Sequence, residues 1–413
     1  MMRVWRCLLF AALPLGCNVT APAPTGGAEL PSRGECPRGI AVVMSDYQSS
    51  EIALLSPDGT VMSPAFLSSA STSASGLAAP LSGDIGVAST TRREQLVIVD
   101  RYGTNVLSFV DVDSAEVTAQ LPVGTGFDAN VQDYLELDGE RALVPRLGQN
   151  QQPGREPFDA GSDVLVVDPS EPAIVDAIEM PTEAEYRPNP SAIVRVGDDA
   201  LVTLHHARAD FGASADSELV ALSARDLSLA YRLPLEGLSN CGRAELSPNG
   251  ELLAIACSGH LQRTGAVTEP ERSGLLLLDA TTRPPRELRR LMALDVIGAP
   301  MQSSVELVTE RLALIKSQTP LGADADNQLW ALDLETGSTE LLATAARGSS
   351  GVGRGVAFAG MSCRAACGDP CLVCDLSRGK LLRFALRDGA LEPAADVELD
   401  GAGLPPLSLT PFW

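Results

Sequence analysis

Residues 104–124, "TNVLSFVDVDSAEVTAQLPVG", contain two runs of alternating apolar and polar residues joined by a short acidic turn. A strand places successive side chains on opposite faces, so this pattern predicts a β-hairpin. The hairpin recurs along the chain at intervals of 52 to 57 residues. Its equivalent positions are Ser56, Asp111, Asp168, Ser223, Asp279, Asp333 and Ala385. Seven copies at this spacing indicate a repeat architecture.

Further strands precede each hairpin, as in "CGRAELSPNGELLAIAC" (241–257). Four short strands per copy without helical periodicity predict an all-β unit, and such sheets cover each other's faces when stacked radially. We therefore predict a seven-bladed β-propeller of four-stranded antiparallel blades. The first copy lacks an innermost strand, whereas "GLPPLSLTPFW" (403–413) is a strand without a hairpin. We expect this C-terminal strand to pair with the N-terminal blade and close the ring.

The segment "EQLVIVDRYGTNVLSFVDVDSAEVTAQLPVG" (94–124) resembles the repeat of YVTN-type seven-bladed propellers. It has a strand, then Gly-Thr-Asn, a Val-rich strand ending in Val-Asp, and a last strand ending in "PVG". The other six copies match loosely, and "IVDRYGTN" replaces the YVTN letters. The resemblance implies the fold and says little about function, because propellers serve many unrelated tasks.

The N-terminal segment "MMRVWRCLLFAALPLGC" has two arginines before an apolar run too short to span a membrane, which is typical of a secretory signal. Its "LPLGC" ending resembles a bacterial lipoprotein signal and implies lipidation of Cys17, although Pro14 stands where Leu is usual. The alternative is an ordinary signal peptide. The domains expected are a signal peptide (1–16), the lipidated cysteine with a flexible linker (17–37), and one propeller (38–413).

The chain has 31 basic and 53 acidic residues, a net charge of −22. Nucleic acids and anionic membranes need clustered basic residues, so neither is expected as an electrostatic partner. We expect a monomer in the envelope of a Gram-negative-type bacterium, at the outer membrane or facing the periplasm. Its only membrane contact would be the lipid.

Nine cysteines in an exported chain predict disulfides. Counting outward from the Pro-Asn-Gly turn at 248–250 places Cys241 opposite Cys257. The cluster "CRAACGDPCLVC" is interpreted as two local disulfides, with zinc or an iron–sulfur cluster as alternatives. Its members are Cys363, Cys367, Cys371 and Cys374. Cys36 is then either free or displaces a member of the cluster.

Long loops follow the second strand of copies three to six and share one face of the predicted ring. Binding residues often collect on such loops. The alternative is that these are solvated loops whose polar residues cap strand ends. The candidate binding residues are Asp100, Arg101, Arg146, His205, His206, His260 and Lys316. Their partner would be a protein or a small molecule.

Three functions follow from these features. The first is a non-enzymatic binding or scaffold lipoprotein without a cofactor or metal, because the sequence has no hydrolase or phosphate-binding motif. The second is a lactonase-like or other propeller hydrolase, which the resemblance implies. Its site would lie at the central channel mouth and use Asp100, Asp133, Glu306 and His205 with Ca or Zn. Electron transfer is the third and rests only on the cysteine cluster. Whether the chain is an enzyme stays open, with binding favoured.

Overall fold

The computed structural model describes residues 30–32, 34–70, 76, 78–89, 91–183, 185–260, 267–318, 326–345, 356–399 and 403–413. The predicted signal peptide, the predicted lipidation residue Cys17 and most of the predicted linker lie outside these residues.

Seven antiparallel sheets form the blades of a β-propeller, as predicted. The first three blades contain β1 (Gly39–Ser45), β2 (Ser50–Leu55) and β3 (Val61–Ser68); β4 (Ile85–Val87), β5 (Gln95–Asp100), β6 (Val106–Asp111) and β7 (Val117–Pro122); and β8 (Leu135–Asp138), β9 (Arg141–Pro145), β10 (Asp163–Asp168) and β11 (Ala173–Glu179). The fourth and fifth contain β12 (Pro190–Val196), β13 (Asp199–Leu204), β14 (Glu218–Ser223) and β15 (Leu229–Pro234); and β16 (Cys241–Leu246), β17 (Leu252–Ser258), β18 (Ser273–Asp279) and β19 (Arg286–Met292). The last two contain β20 (Glu306–Leu307), β21 (Leu312–Lys316), β22 (Asn327–Asp333) and β23 (Thr339–Ala345); and β24 (Phe358–Cys363), β25 (Cys371–Asp375), β26 (Lys380–Arg387), β27 (Ala390–Pro393) and the short β28 (Val397–Glu398).

The C-terminal strand β29 (Pro406–Phe412) is the innermost strand of the first blade and pairs antiparallel with β1. This confirms the predicted ring closure. The register places Gly39 opposite Phe412. A Cβ atom at Gly39 would lie 2.4 Å from the Leu55 carbonyl oxygen and 2.5 Å from the Phe412 ring, so only glycine fits where the two chain ends meet.

The core between blades is built by apolar side chains that point alternately to the two faces of each sheet. In β5, Val97 and Val99 pack into the cluster shared with the third blade, whereas Leu96 and Ile98 pack into the cluster shared with the first. Because successive side chains point to opposite sheet faces, one apolar strand serves two blade interfaces. The outermost strands have more exposed residues, because only one edge of each is covered.

The aspartates of the recurring hairpin have a structural role. The Asp111 carboxylate accepts the Ser114 backbone N–H at 2.8 Å, and the Asp333 carboxylate accepts that of Thr336 at 2.7 Å. The hydrogen bond from the Thr336 backbone is the main reason that the pKa of Asp333 is lowered. An aspartate that ends the third strand thus fixes the turn into the fourth.

Helix is minor in the described residues. The α-helix α1 covers Ala293–Val296, and two 3₁₀ turns cover Pro270–Arg272 and Ala365–Cys367. Among the described residues, no helix has the length and apolar character that crossing a membrane requires.

The predicted Cys241–Cys257 disulfide is confirmed, with a Cα–Cα distance of 3.8 Å. The register beside the Pro-Asn-Gly turn differs by one residue from the prediction, since Leu246 lies opposite Leu253. An irregularity between Cys241 and Ala244 then brings the two cysteines opposite each other. The pairing was therefore correct although the strand contains a bulge that the sequence count did not include.

The disulfides of the cysteine cluster show that the prediction of two local disulfides is wrong and confirm the alternative in which Cys36 displaces a member of the cluster. Cys363 pairs with Cys371, and Cys367 pairs with Cys36 across 331 residues, which leaves Cys374 as a buried free thiol. Cys371 and Cys374 are three residues apart in one strand, so their side chains point to opposite faces. Cys374 packs with the apolar cluster on the far face, where no second cysteine lies among the described residues.

The propeller has an upper face, formed by the loops between second and third strands, and a lower face at the opposite strand ends. Because β1 runs from the lower to the upper face, the preceding residues lie at the lower face. We refer to residues 30–32 and 34–38 as the N-terminal strap. It is held by the Cys36–Cys367 disulfide, a Glu35–Arg93 ion pair and a 2.8 Å hydrogen bond from the Arg38 N–H to the Phe412 carbonyl.

Candidate functional site

The innermost strands of the seven blades surround a central channel with a cavity volume of about 840 Å³. The strap residues 30–32, 34 and 35 line its lower mouth. The charged residues lining the channel are Glu35, Arg101, Asp133, Arg195, Arg243, Glu245, Glu306, Lys316 and Arg364. The innermost strands of all seven blades surround the same axis, so their channel-facing side chains converge on it.

Two carboxyl groups in this channel, those of Glu245 and Glu306, lie at the same height on neighbouring blades. Glu245 lies opposite Ala254, the third residue of β17, and Glu306 lies opposite Leu314, the third residue of β21. Equivalent register in adjacent blades places the two groups side by side around the channel axis.

Burial and, second, the neighbouring Glu245 carboxylate raise the pKa of Glu306 to about 8. Arg364 and Lys316 act in the opposite direction but do not offset the burial. Burial likewise raises the pKa of Glu245. Glu306 Oε1 accepts the Cys363 N–H at 2.6 Å, which fixes the side chain. Two interacting carboxyl groups in a cleft are a recognised sign of a functional site.

The channel cations differ in how well they are paired. Arg243 donates to the Ile193 carbonyl at 3.1 Å and lies 3.5 Å from Asp133. Lys316 donates to the Ala359 carbonyl, and burial lowers its pKa to about 8. The buried Nε atom of Arg364 has no hydrogen-bond partner among the described residues. Arg364 therefore lines the channel with one buried hydrogen-bond donor left unsatisfied among the described residues.

The charge of the channel is opposite in sign to that of the whole chain. The protein has a net charge of −22, whereas the channel is lined by five basic and four acidic side chains. Below pH 8 the Glu306 carboxyl is protonated, which removes one of the four negative charges of the channel. An acidic protein therefore has a cationic channel.

The structure brings only part of the predicted binding face to this channel. Arg101 and Lys316 line it, and so do Asp133 and Glu306 of the hydrolase hypothesis. Asp100 is 2% exposed, and its carboxylate accepts the Ser82 hydroxyl at 2.6 Å and backbone N–H at 2.7 Å.

Arg146 is fully buried. It donates two hydrogen bonds to Asp163, at 2.7 and 2.6 Å, and its guanidinium lies 5.2 Å from the centre of the Phe127 ring. Asp100 and Arg146 thus cap strand ends inside the protein, as in the alternative interpretation of these loops.

The three histidines are also held inside the upper loops. His205 Nε2 lies 2.9 Å from the Cys241 carbonyl oxygen, and burial lowers the pKa of His205 to about 4. His206 Nε2 lies 3.1 Å from Glu218, and His260 Nδ1 lies 3.1 Å from the Ser214 hydroxyl. These contacts account for one ring nitrogen of each histidine.

Among the described residues, one group has metal-ligand geometry, formed by Glu183, His206 and Glu218. Arg232 already binds there, since its Nε lies 2.7 Å from Glu218 and its Nη2 lies 3.5 Å from Glu183. The guanidinium supplies the positive charge that a metal would bring, so this cluster is explained by an ion-pair network.

Sequence reasoning missed Arg243, Glu245 and Arg364. A signal was present for the first two. They alternate in "CGRAEL", the first strand of its copy, and charges at alternate positions of an innermost strand point toward the channel. Arg364 follows β24 in the cysteine cluster, where its spacing gives no such signal.

No protein-family profile matches the sequence. No curated protein sequence matches it either. Solved structures do match. A candidate 6-phosphogluconolactonase from Bacteroides uniformis has a TM-score of 0.55 and 13% identity over 90% of this chain and 99% of its own. A protein from Lactobacillus plantarum has a TM-score of 0.56 and 12% identity over 91% and 99%. At these identities the likeness shows the propeller fold alone.

Proposed function

We propose that the chain is a non-enzymatic binding protein whose ligand is a small polar molecule held in the central channel. The observation that carries this proposal is the cationic channel of an acidic protein, in which Arg364 lacks a partner for its buried Nε among the described residues. Pockets with a few convergent polar groups on a rigid scaffold are the usual ligand sites of proteins. The channel replaces the upper loop face as the contact region, because most of the predicted loop residues are buried.

A channel-filling variant tests this proposal. Ser191 lines the channel, so Ser191→Trp should obstruct it, whereas Glu171→Trp places the same side chain on an exposed turn. A library of polar metabolites is screened by thermal shift against both variants and the wild type. We expect at least one compound to raise the melting temperature of the wild type and of Glu171→Trp, and not of Ser191→Trp. Equal shifts in all three proteins would refute binding in the channel.

We further propose that Cys17 carries a lipid and holds the protein in the cell envelope, at the outer membrane or facing the periplasm. The support is the sequence "LPLGC" and the linker that follows it. Two or more acyl chains are needed for lasting attachment. Palmitate labelling should tag the wild type, and Cys17→Ser should lose the label and release the protein from membranes. An unlabelled and freely soluble wild type would refute the anchor.

A lactonase-like hydrolase is the second candidate, favoured by the interacting Glu245 and Glu306 carboxyl groups. A carboxylate would take a proton from water as the water oxygen adds to the lactone carbonyl, and the neutral carboxyl would protonate the departing alkoxide. Hydrolysis of dihydrocoumarin, with added Ca²⁺ or Zn²⁺ or with chelator, tests this. Activity that is lost in both Glu245→Gln and Glu306→Gln supports catalysis. Activity retained in both would exclude this pair.

A further inference from the structure

We propose that the lower part of the channel binds a small organic anion, a carboxylate or phosphate group, through Arg364 and Glu306. This inference rests on the proposed channel function. Arg364 lies just below the end of β24, half-buried in the channel wall. Its buried Nε atom has no acceptor among the described residues. A guanidinium offers five donors in a planar fork that matches carboxylate and phosphate groups, so the part of Arg364 that lines the channel suits an anion.

Glu306 provides the second donor. Its Oε1 atom accepts the Cys363 N–H, so a proton on this carboxyl must lie on Oε2. Among the described residues Oε2 has no hydrogen-bond partner. Since burial and the neighbouring Glu245 raise the pKa of Glu306 to about 8, the group is neutral at pH 7. A neutral carboxylic acid donates a hydrogen bond to an anion, whereas an ionised one would repel it.

The surrounding charges favour an anion over a cation. Three charged groups act on Glu306: Glu245 in the fifth blade, Lys316 in the sixth and Arg364 in the seventh. Arg243 also acts on Glu245 but is balanced by Asp133 at 3.5 Å. With Glu306 neutral, two positive groups face one carboxylate. The surplus positive charge is what a bound anion would neutralise, and ionisation of Glu306 would remove it.

Calorimetric titration of the full chain, with its disulfides oxidised, tests the inference using three probes that share one sugar ring. D-glucuronate carries a carboxylate, D-glucose 6-phosphate a phosphate, and D-glucose neither. At pH 7 we expect one or both charged probes to bind at least about tenfold more tightly than glucose. The tighter of the two identifies the anion type. Above pH 8 the affinity should fall by at least about tenfold per pH unit, because each bound anion requires one proton on Glu306 and because Lys316, whose pKa is about 8, loses its positive charge in the same range.

Three variants complete the test. Arg364→Gln should weaken the charged probe at least about tenfold. Glu306→Gln should keep binding with a smaller pH dependence, the remainder coming from Lys316, whose pKa is about 8. Arg387→Gln, in the outer part of the same blade with a 70% exposed side chain, should bind like the wild type. The disulfide pattern and melting temperature of each variant establish that it is folded.

Glucose binding as tight as that of the charged probes would overturn the inference. So would wild-type affinity in Arg364→Gln, or no binding of either charged probe at about 10 mM. Failure of this inference differs from failure of the proposed function. If only a neutral compound stabilises the wild type and not Ser191→Trp, the channel remains the ligand site but the anion is excluded.

Discussion

At the scale of single residues, Arg146 shows how a predicted binding residue becomes a structural one. Its guanidinium is fully buried and also donates to the Phe158 carbonyl at 2.7 Å and to the Thr125 hydroxyl at 2.7 Å. With Asp163 as the counter-charge, every part of the fork is engaged. The group therefore holds a long upper loop against its strand and offers nothing to a ligand.

We expect Arg146→Met to lower the free energy of unfolding by about 3–5 kcal/mol, because Asp163 would be left buried without its counter-charge. The double variant Arg146→Met/Asp163→Asn should lose less. Arg311→Met, which breaks an ion pair whose side chains are 68% and 63% exposed, should change stability by about 1 kcal/mol or less. Urea unfolding measures all three, and a loss in Arg146→Met no larger than in Arg311→Met would contradict the expectation.

Glu306 should make stability depend on pH in an unusual direction for a carboxyl group. Its pKa is raised from 4.5 to about 8 in the folded protein, so between these values the unfolded chain releases a proton that the folded chain keeps. Stability therefore falls as pH rises through this range.

Glu306→Gln removes this effect. The variant should match the wild type near pH 4 and become progressively more stable than it toward pH 8. Thermal unfolding across pH 4–9 measures the difference, with Glu340→Gln, exposed on the outer strand of the same blade, as the control. A difference between Glu306→Gln and wild type that does not change with pH would contradict the raised pKa.

The site was less predictable than the fold at this scale. His205, Asp100 and Arg146 follow or end second strands, where the sequence cannot show whether a side chain turns outward or back into the protein. That choice depends on partners such as Cys241 and Ser82, which lie in other strands or loops. Burial is thus a property of the assembled ring.

At the scale of strands and hairpins, prediction worked because each copy repeats the same local chemistry. The alternation in "LSFVDVDSAEVTAQLP" fixes β6 and β7, and Asp111 fixes the turn between them. The bulge beside Cys241 was not predictable, because it depends on the close approach of Gly242 to the neighbouring blade. A Cβ at Gly242 would lie 1.6 Å from the Ser303 carbonyl oxygen.

The Cys241–Cys257 disulfide closes a short loop within one hairpin, with a sequence separation of 16 residues. In the chain-entropy description such a loop contributes roughly 3 kcal/mol, so the double variant Cys241→Ser/Cys257→Ser should fold and melt a few degrees lower. Differential scanning calorimetry measures the change. Cys374→Ser, which removes the free thiol, should leave all three disulfides intact in non-reducing peptide maps. Unpaired Cys241 and Cys257 in non-reducing peptide maps of the wild type would refute this assignment.

At the scale of the whole molecule, ring closure depends on β29. Deleting residues 404–413 exposes the inner edge of β1 and opens the first blade, and unpaired strand edges promote aggregation. We expect the truncated chain to be recovered mostly in the insoluble fraction. Removal of residues 30–32 from the strap, which contribute no strand, should leave soluble protein. Size-exclusion chromatography of both deletions compares them, and a soluble monomer without β29 would refute closure by this strand.

The Cys36–Cys367 disulfide spans a sequence separation of 331 residues and ties the strap to the seventh blade. A cross-link over so long a loop restricts the unfolded chain by roughly 5–6 kcal/mol in the same description. Cys36→Ser/Cys367→Ser should therefore lower stability more than loss of the Cys241–Cys257 bond. Urea unfolding of the two double variants side by side tests the ranking, and the reverse order would contradict it.

The position of the strap also determines how the ring is displayed. Residue 30 leaves the propeller at the lower mouth, on the same side as Trp413, whose indole N–H lies 3.4 Å from the Glu35 carbonyl oxygen. The chain before residue 30 therefore joins the ring at its lower face, so a surface that held this part of the chain would be nearer to the lower face than to the upper loops.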